Sequence, residues 1–149
     1  MTAVGNGRLV ETTAGLRPGE KTWHWQMTFP HVSYLVSVAA SAYAKRDTTW
    51  RGIPVEYYVG PDLVERVPRS FGRTPEMMEF FSTRFGVPYP YAKYAQVVVQ
   101  DYMHGGMENI SATTLVERSL IDRESVGERG LSTEASSPTS WGTSGSAIT

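Results

Sequence analysis

The chain has 149 residues, 40% of them hydrophobic and 19% charged, with a formal net charge of −1. That balance excludes a disordered chain and gives no broad electrostatic pull toward nucleic acid or anionic membrane. Cysteine is absent, so disulfides and thiolate metal sites are excluded, while the compartment stays open.

The N-terminal run from Met1 to Gly7 lacks the basic start and apolar stretch of a secretory signal. No segment has the apolar length needed to cross a bilayer, and a soluble chain is expected. Asn6-Gly7 and Pro18-Gly19 are turn signals. Between Thr22 and Met27, bulky apolar and polar side chains alternate, which predicts a half-buried strand. Pro30 interrupts the pattern, and Tyr34 to Val38 predicts a further strand. These are expected to be antiparallel strands of a β-sandwich-like domain. Lys45 to Thr49 is polar and reads as a break between domains, and Ile53 to Val59 predicts the next strand.

The period then changes. Thr74 suits a helix cap, Pro75 the first helical position and Glu76 the positive end of the helix dipole. Met77, Met78, Phe80, Phe81 and Phe85 recur at helical spacing as a core-facing stripe, and Gly86 can end the helix. Val87 to Tyr91 carries two prolines and must be extended or turned. Gln96 to Gln100 predicts a buried strand, and Met107 to about Thr113 a short one. Glu117-Arg118 and Asp122 to Glu124 read as a solvated face. From Ser132 to Thr149 the chain is dominated by Ser, Thr, Gly and Ala without periodicity, the composition of a disordered tail.

One short run carries chemistry. In Gly105-Gly106-Met107-Glu108-Asn109, paired glycines allow a second backbone to approach, and their N–H groups can meet a ligand carbonyl. A partly buried Glu108 would seek a cation such as an ammonium group. Asn109 could hold that carboxylate or the loop. Taken alone, the run also fits a β-bulge with an exposed glutamate.

Its context extends the reading. Phe85 to Tyr91, then Lys93-Tyr94, a valine strand, Asp101-Tyr102, the Gly-Gly-Met-Glu-Asn run and Ala112-Thr113-Thr114 resemble the aminopeptidase N family of zinc metallopeptidases. The family motif is Gly-x-Met-Glu-Asn, with Gly106 in the variable place. The resemblance runs from about Asn6 to Glu134, and Trp23-His24-Trp25 with Pro30 resembles the late strands of the family's N-terminal β-domain. It implies an α+β chain: residues 1–47 ending that β-domain, 48–134 opening a β-rich thermolysin-like catalytic domain with one clear helix, and 135–149 a tail. It further implies that Glu108 binds the free α-amino group of a peptide. Gly105 and Gly106 would lie along the substrate and fix its carbonyl, while Met107 and Asn109 shape the loop.

The family's zinc site is another matter. It needs His-Glu-x-x-His on a helix, a later glutamate ligand and a tyrosine on the oxyanion. The three histidines here, His24, His31 and His104, have no such spacing. No complete catalytic set and no zinc binding are therefore expected, and the chain reads as an inactive, poorly soluble fragment of a metalloaminopeptidase. The tail offers a reason. If the first two bases of the Ala135 codon are discarded, degenerate codons can spell Leu-Ile-Ala-His-Glu-Leu-Gly-His-Gln-Trp-Phe-Gly-Asp. That is the family's zinc helix, in register with the likeness upstream, and a frameshifted tail is expected. The alternative is a non-catalytic module that binds peptides or pairs through open sheet edges. A translated pseudogene product without function also fits.

Overall fold

The structure, a computed structural model, describes residues 1–120. The expected solvated face at Asp122 to Glu124 and the tail lie outside the described residues.

Four strands open the chain. β1 (Thr2–Gly5) pairs antiparallel with β4 (Val38–Ser41), and β2 (Arg8–Ala14) forms a hairpin with β3 (Lys21–Gln26). The alternation from Thr22 is borne out: Trp23 and Trp25 are half-buried while Thr22 and His24 are exposed. Both turn signals are also borne out, with Gly7 and Gly19 at φ of 75° and 84°. The strand expected at Tyr34 to Val38 is not. Ser33–Leu35 is a 3-10 turn, and extended pairing begins only at Val38. The backbone groups there are taken by side chains instead. Ser37 N donates to Asn6 Oδ1 at 2.7 Å, and the Leu35 carbonyl accepts from two asparagine amides.

The polar run at Lys45 to Thr49 makes no break in secondary structure. It lies inside β5 (Ala44–Trp50), an outer strand of a five-stranded mixed sheet ordered β5-β6-β7-β9-β8. An edge strand with one side in water tolerates charge, and Lys45 pairs with Glu56 on β6 (Ile53–Val59) at 2.7 Å. Arg51 and Gly52 turn this hairpin with positive φ, as a tight two-residue loop demands. β6 runs parallel to β7 (Tyr94–Val99), and β7 parallel to β9 (Ala112–Val116). The single strand expected from Met107 splits in two: β8 (Gly106–Met107) turns back antiparallel onto β9 through Ser111 at φ 61°.

Two helices join β6 to β7, one more than expected: α1 (Val67–Phe71) and α2 (Thr74–Phe85). Gly86 ends α2 in the left-handed conformation. Thr74 does not cap it, because its hydroxyl donates to the Phe71 carbonyl at 2.8 Å. Met78 is buried against the sheet, Met77 and Phe81 are half-buried, and Phe80 and Phe85 are 62% and 57% exposed. The expected core stripe is therefore split into a buried side and an aromatic ridge in which Phe81 stacks on Phe85.

The sheet is buried on both faces. Val55, Tyr57, Tyr94, Val98 and Leu115 meet Phe71 and Met78 on the helix side. Tyr58, Ala95, Val97 and Ala112 meet Val4 of β1 on the other, with Trp25 and Ala39 packed alongside. Each large apolar side chain so buried contributes about 1.5–3 kcal/mol. The result is an α+β arrangement. It sets the Gly-Gly-Met-Glu-Asn run on the edge opposite β5.

Candidate functional site: an edge strand beside a cavity

The run occupies β8 and the turn that follows it. Gly105 O accepts from Val116 N at 3.2 Å, and Asn109 O accepts from Ala112 N at 3.1 Å. These two bonds fasten both ends of the segment to β9. A Cβ on Gly105 would meet nothing within 4 Å, so this position faces open space. At Gly106 a Cβ would meet Leu115 Cδ2 at 3.0 Å and Thr114 O at 3.2 Å, leaving room only for a very small side chain.

Side chains alternate along the extended segment. Met107 and Asn109 line a cavity of about 820 Å³ at the carboxyl ends of β6 and β7. Its other walls include Tyr34, Asp62, Tyr102 and Glu117. Glu108 does not line it and is half-buried. Asn109 is turned inward: its Nδ2 donates to the Leu35 carbonyl at 3.3 Å, and its Oδ1 accepts from Thr114 Oγ1 at 2.8 Å. Of the two uses open to Asn109, these bonds serve the loop.

Sequence reasoning missed the residues that hold the run in place. Asn6 is buried, its Nδ2 donating to Ile110 O at 2.5 Å and to Leu35 O at 3.2 Å. Gly7 N donates to Ser111 Oγ at 2.6 Å. The Asn-Gly pair was visible as a turn, but nothing local signals contacts more than a hundred residues away.

The histidines are apart in role. His24 is exposed, with Nδ1 3.7 Å from Glu11 across the β2–β3 hairpin. His31 Nδ1 lies 3.0 Å from Phe29 O. His104 is exposed and edge-on to Tyr102 at 5.9 Å.

The Peptidase family M1 domain matches residues 69–134, which span α2, the sheet centre and the motif strand. The chain is 30% identical over 103 residues to endoplasmic reticulum aminopeptidase 1 of Mus musculus, covering 68% of this chain and 11% of that protein. These matches support peptidase family M1 for the chain, at low identity. Aminopeptidase N of Streptomyces lividans is 26% identical over 110 residues, covering 70% of this chain and 13% of the relative. The thyrotropin-releasing hormone-degrading ectoenzyme of Rattus norvegicus is 28% identical over 115 residues, covering 75% and 11%. The chain thus spans about a tenth of the length of the curated relatives it matches.

M1 proteins are zinc metallopeptidases. Among the described residues, no three His, Cys, Asp or Glu side chains gather where they could hold a metal ion. No helix among the described residues is long and apolar enough to cross a membrane.

Proposed function

We propose that the β8 edge is a peptide-binding wall that holds the free amino end of a peptide, with Glu108 as the partner of the ammonium group. The observation that carries this reading is the open edge itself. Among the described residues, β8 is bonded to β9 on one side only, a Cβ on Gly105 would meet nothing within 4 Å, and half-buried Glu108 follows two residues beyond Gly106. A peptide laid along such an edge gains main-chain hydrogen bonds. A carboxylate at its end then fixes the register at the first residue, which is the basis of exopeptidase selectivity. The match to the Peptidase family M1 domain supports the peptide as substrate class.

The reading assigns this chain binding and not hydrolysis, because its sequence contains no His-Glu-x-x-His. The parent activity, removal of N-terminal residues from peptides with zinc, belongs in this reading to the frame in which the tail spells the zinc helix. The nucleotide sequence across codons 135–149 tests that part. Codons that cannot spell the helix in the shifted frame remove it.

The binding role is tested with a tripeptide amide offered as the free amine and as its acetylated form. The wild-type chain is expected to prefer the free amine. Glu108→Gln should cut that preference by about 10-fold or more, since a charge-assisted hydrogen bond contributes roughly 1.5–3 kcal/mol. Equal binding of both forms by the wild-type chain would remove Glu108 recognition and leave strand pairing as the better account of the open edge.

A further inference from the structure

We infer that Asn6, on the turn after β1, is a positioning residue for the amine-recognition strand; this rests on the reading of Glu108 given above. Three consecutive residues of that turn anchor separate parts of the molecule. Gly5 O accepts from Lys93 Nζ at 2.6 Å, just before β7. The Asn6 side chain takes the Ile110 and Leu35 carbonyls and the Ser37 amide. Gly7 N reaches Ser111 Oγ at 2.6 Å.

The geometry around Leu35 ties these together. Its carbonyl accepts from Asn6 Nδ2 at 3.2 Å and from Asn109 Nδ2 at 3.3 Å. One acceptor therefore joins the N-terminal turn to the last residue of the motif. Asn6 also holds the carbonyl of Ile110, the next residue along, so the main chain leaving Glu108 is gripped within two residues of that carboxylate. Ser111, at φ 61°, adopts a backbone conformation that non-glycine residues disfavour, and its hydroxyl contact with Gly7 helps hold it there. Burial of Asn6 leaves water little access to replace the bonds a shorter side chain would lose. Removing Asn6 should therefore loosen the turn at 109–111 and with it the position of the Glu108 carboxylate.

The test uses the full chain and two readouts. In Asn6→Ala, amide hydrogen exchange at Ala112 and Val116, which donate to Asn109 O and Gly105 O, should quicken by about 10-fold or more. Exchange in Ile53–Val59 of the β5–β6 hairpin should hold. The preference for a free-amine over an acetylated tripeptide amide should fall by a similar factor. Unchanged exchange at Ala112 and Val116, or quickening in equal proportion across the hairpin, would overturn the inference, because Asn6 would then support the fold at large. Should Asn6→Ala fail to fold, Ser111→Ala removes only the Gly7 contact and must give the same local pattern at smaller size. A wild-type chain that binds both peptides equally would end the Glu108 reading, while the exchange pattern would still decide the role of Asn6.

Discussion

Replacing Gly7 by alanine is expected to lower the unfolding free energy by ~3 kcal/mol. Gly7 lies at φ 75°, and a Cβ there would press into the carbonyl of Gln26, with Met27 Cα at 2.9 Å. Backbone atoms cannot rotate aside as a flexible side chain can, so the hairpin must shift or the turn must open. Either response breaks the bond from Gly7 N to Ser111 Oγ, adding the loss of a buried hydrogen bond. Urea unfolding followed by tryptophan fluorescence measures the effect, with the dependence on denaturant expected to stay constant. A variant within 0.5 kcal/mol of wild type, roughly the range of a neutral surface change, would show that the turn relaxes freely.

The second large effect concerns Lys93, which is only 4% exposed. Its Nζ lies 3.7 Å from the centroid of the Trp25 ring and donates to Gly5 O. Burial pushes its pKa from 10.5 down to about 7, opposed by the Glu56 carboxylate and reinforced by Lys45. The folded chain then gives up this proton near pH 7, while the unfolded chain keeps it until about 10.5. Between those values the unfolded state holds one more proton, so stability rises with pH, by at most ~1.4 kcal/mol per pH unit. Below pH 7 both states are charged and Lys93 adds no slope. The ring face and the Gly5 carbonyl favour the charged form and offset part of the effect. The expected gain from pH 7 to pH 9 is ~2 kcal/mol. Tyr94, pushed up to about 12 by burial, acts only above pH 10 and with the opposite sign. Unfolding curves at pH 6, 7, 8 and 9 should show the rise, and Lys93→Met should flatten it. A flat wild-type profile, or an unchanged slope in the variant, would mean that Lys93 stays charged when folded.

Much of this architecture was legible from local pattern. The alternation at Trp23 and Trp25, the valine strand at β7 and the Pro75-to-Gly86 helix each follow from a period or a punctuating residue. The misreadings share a physical cause: partners distant in sequence. Tyr34 to Val38 has strand propensity, yet the amides of Asn6 and Asn109 claim its backbone and bend it into a 3-10 turn. Lys45 to Thr49 reads as a polar break until Glu56 on the neighbouring strand supplies a counter-charge. The aromatic stripe of α2 has one helical period but covers more of the circumference than the sheet can bury, which leaves Phe80 and Phe85 outside. The motif itself was recognisable from Gly105 to Asn109. Its support was not, because Asn6, Leu35 and Ser111 have no shared local signature.

The long reach of the Asn6 turn also bears on the order in which the molecule can be made. Its bond to Ile110 joins residues 104 apart, whereas the β5–β6 hairpin closes through a two-residue loop. Contacts of such different separation form on different timescales, since distant ones must first overcome the entropy of a long loop. On a ribosome, which exposes earlier residues before later ones, the turn after β1 must wait until Ile110 has been made before this anchor exists. The hairpin and the helices behind it are free to assemble earlier. The motif strand and β1 therefore reach their final places together, after the hairpin.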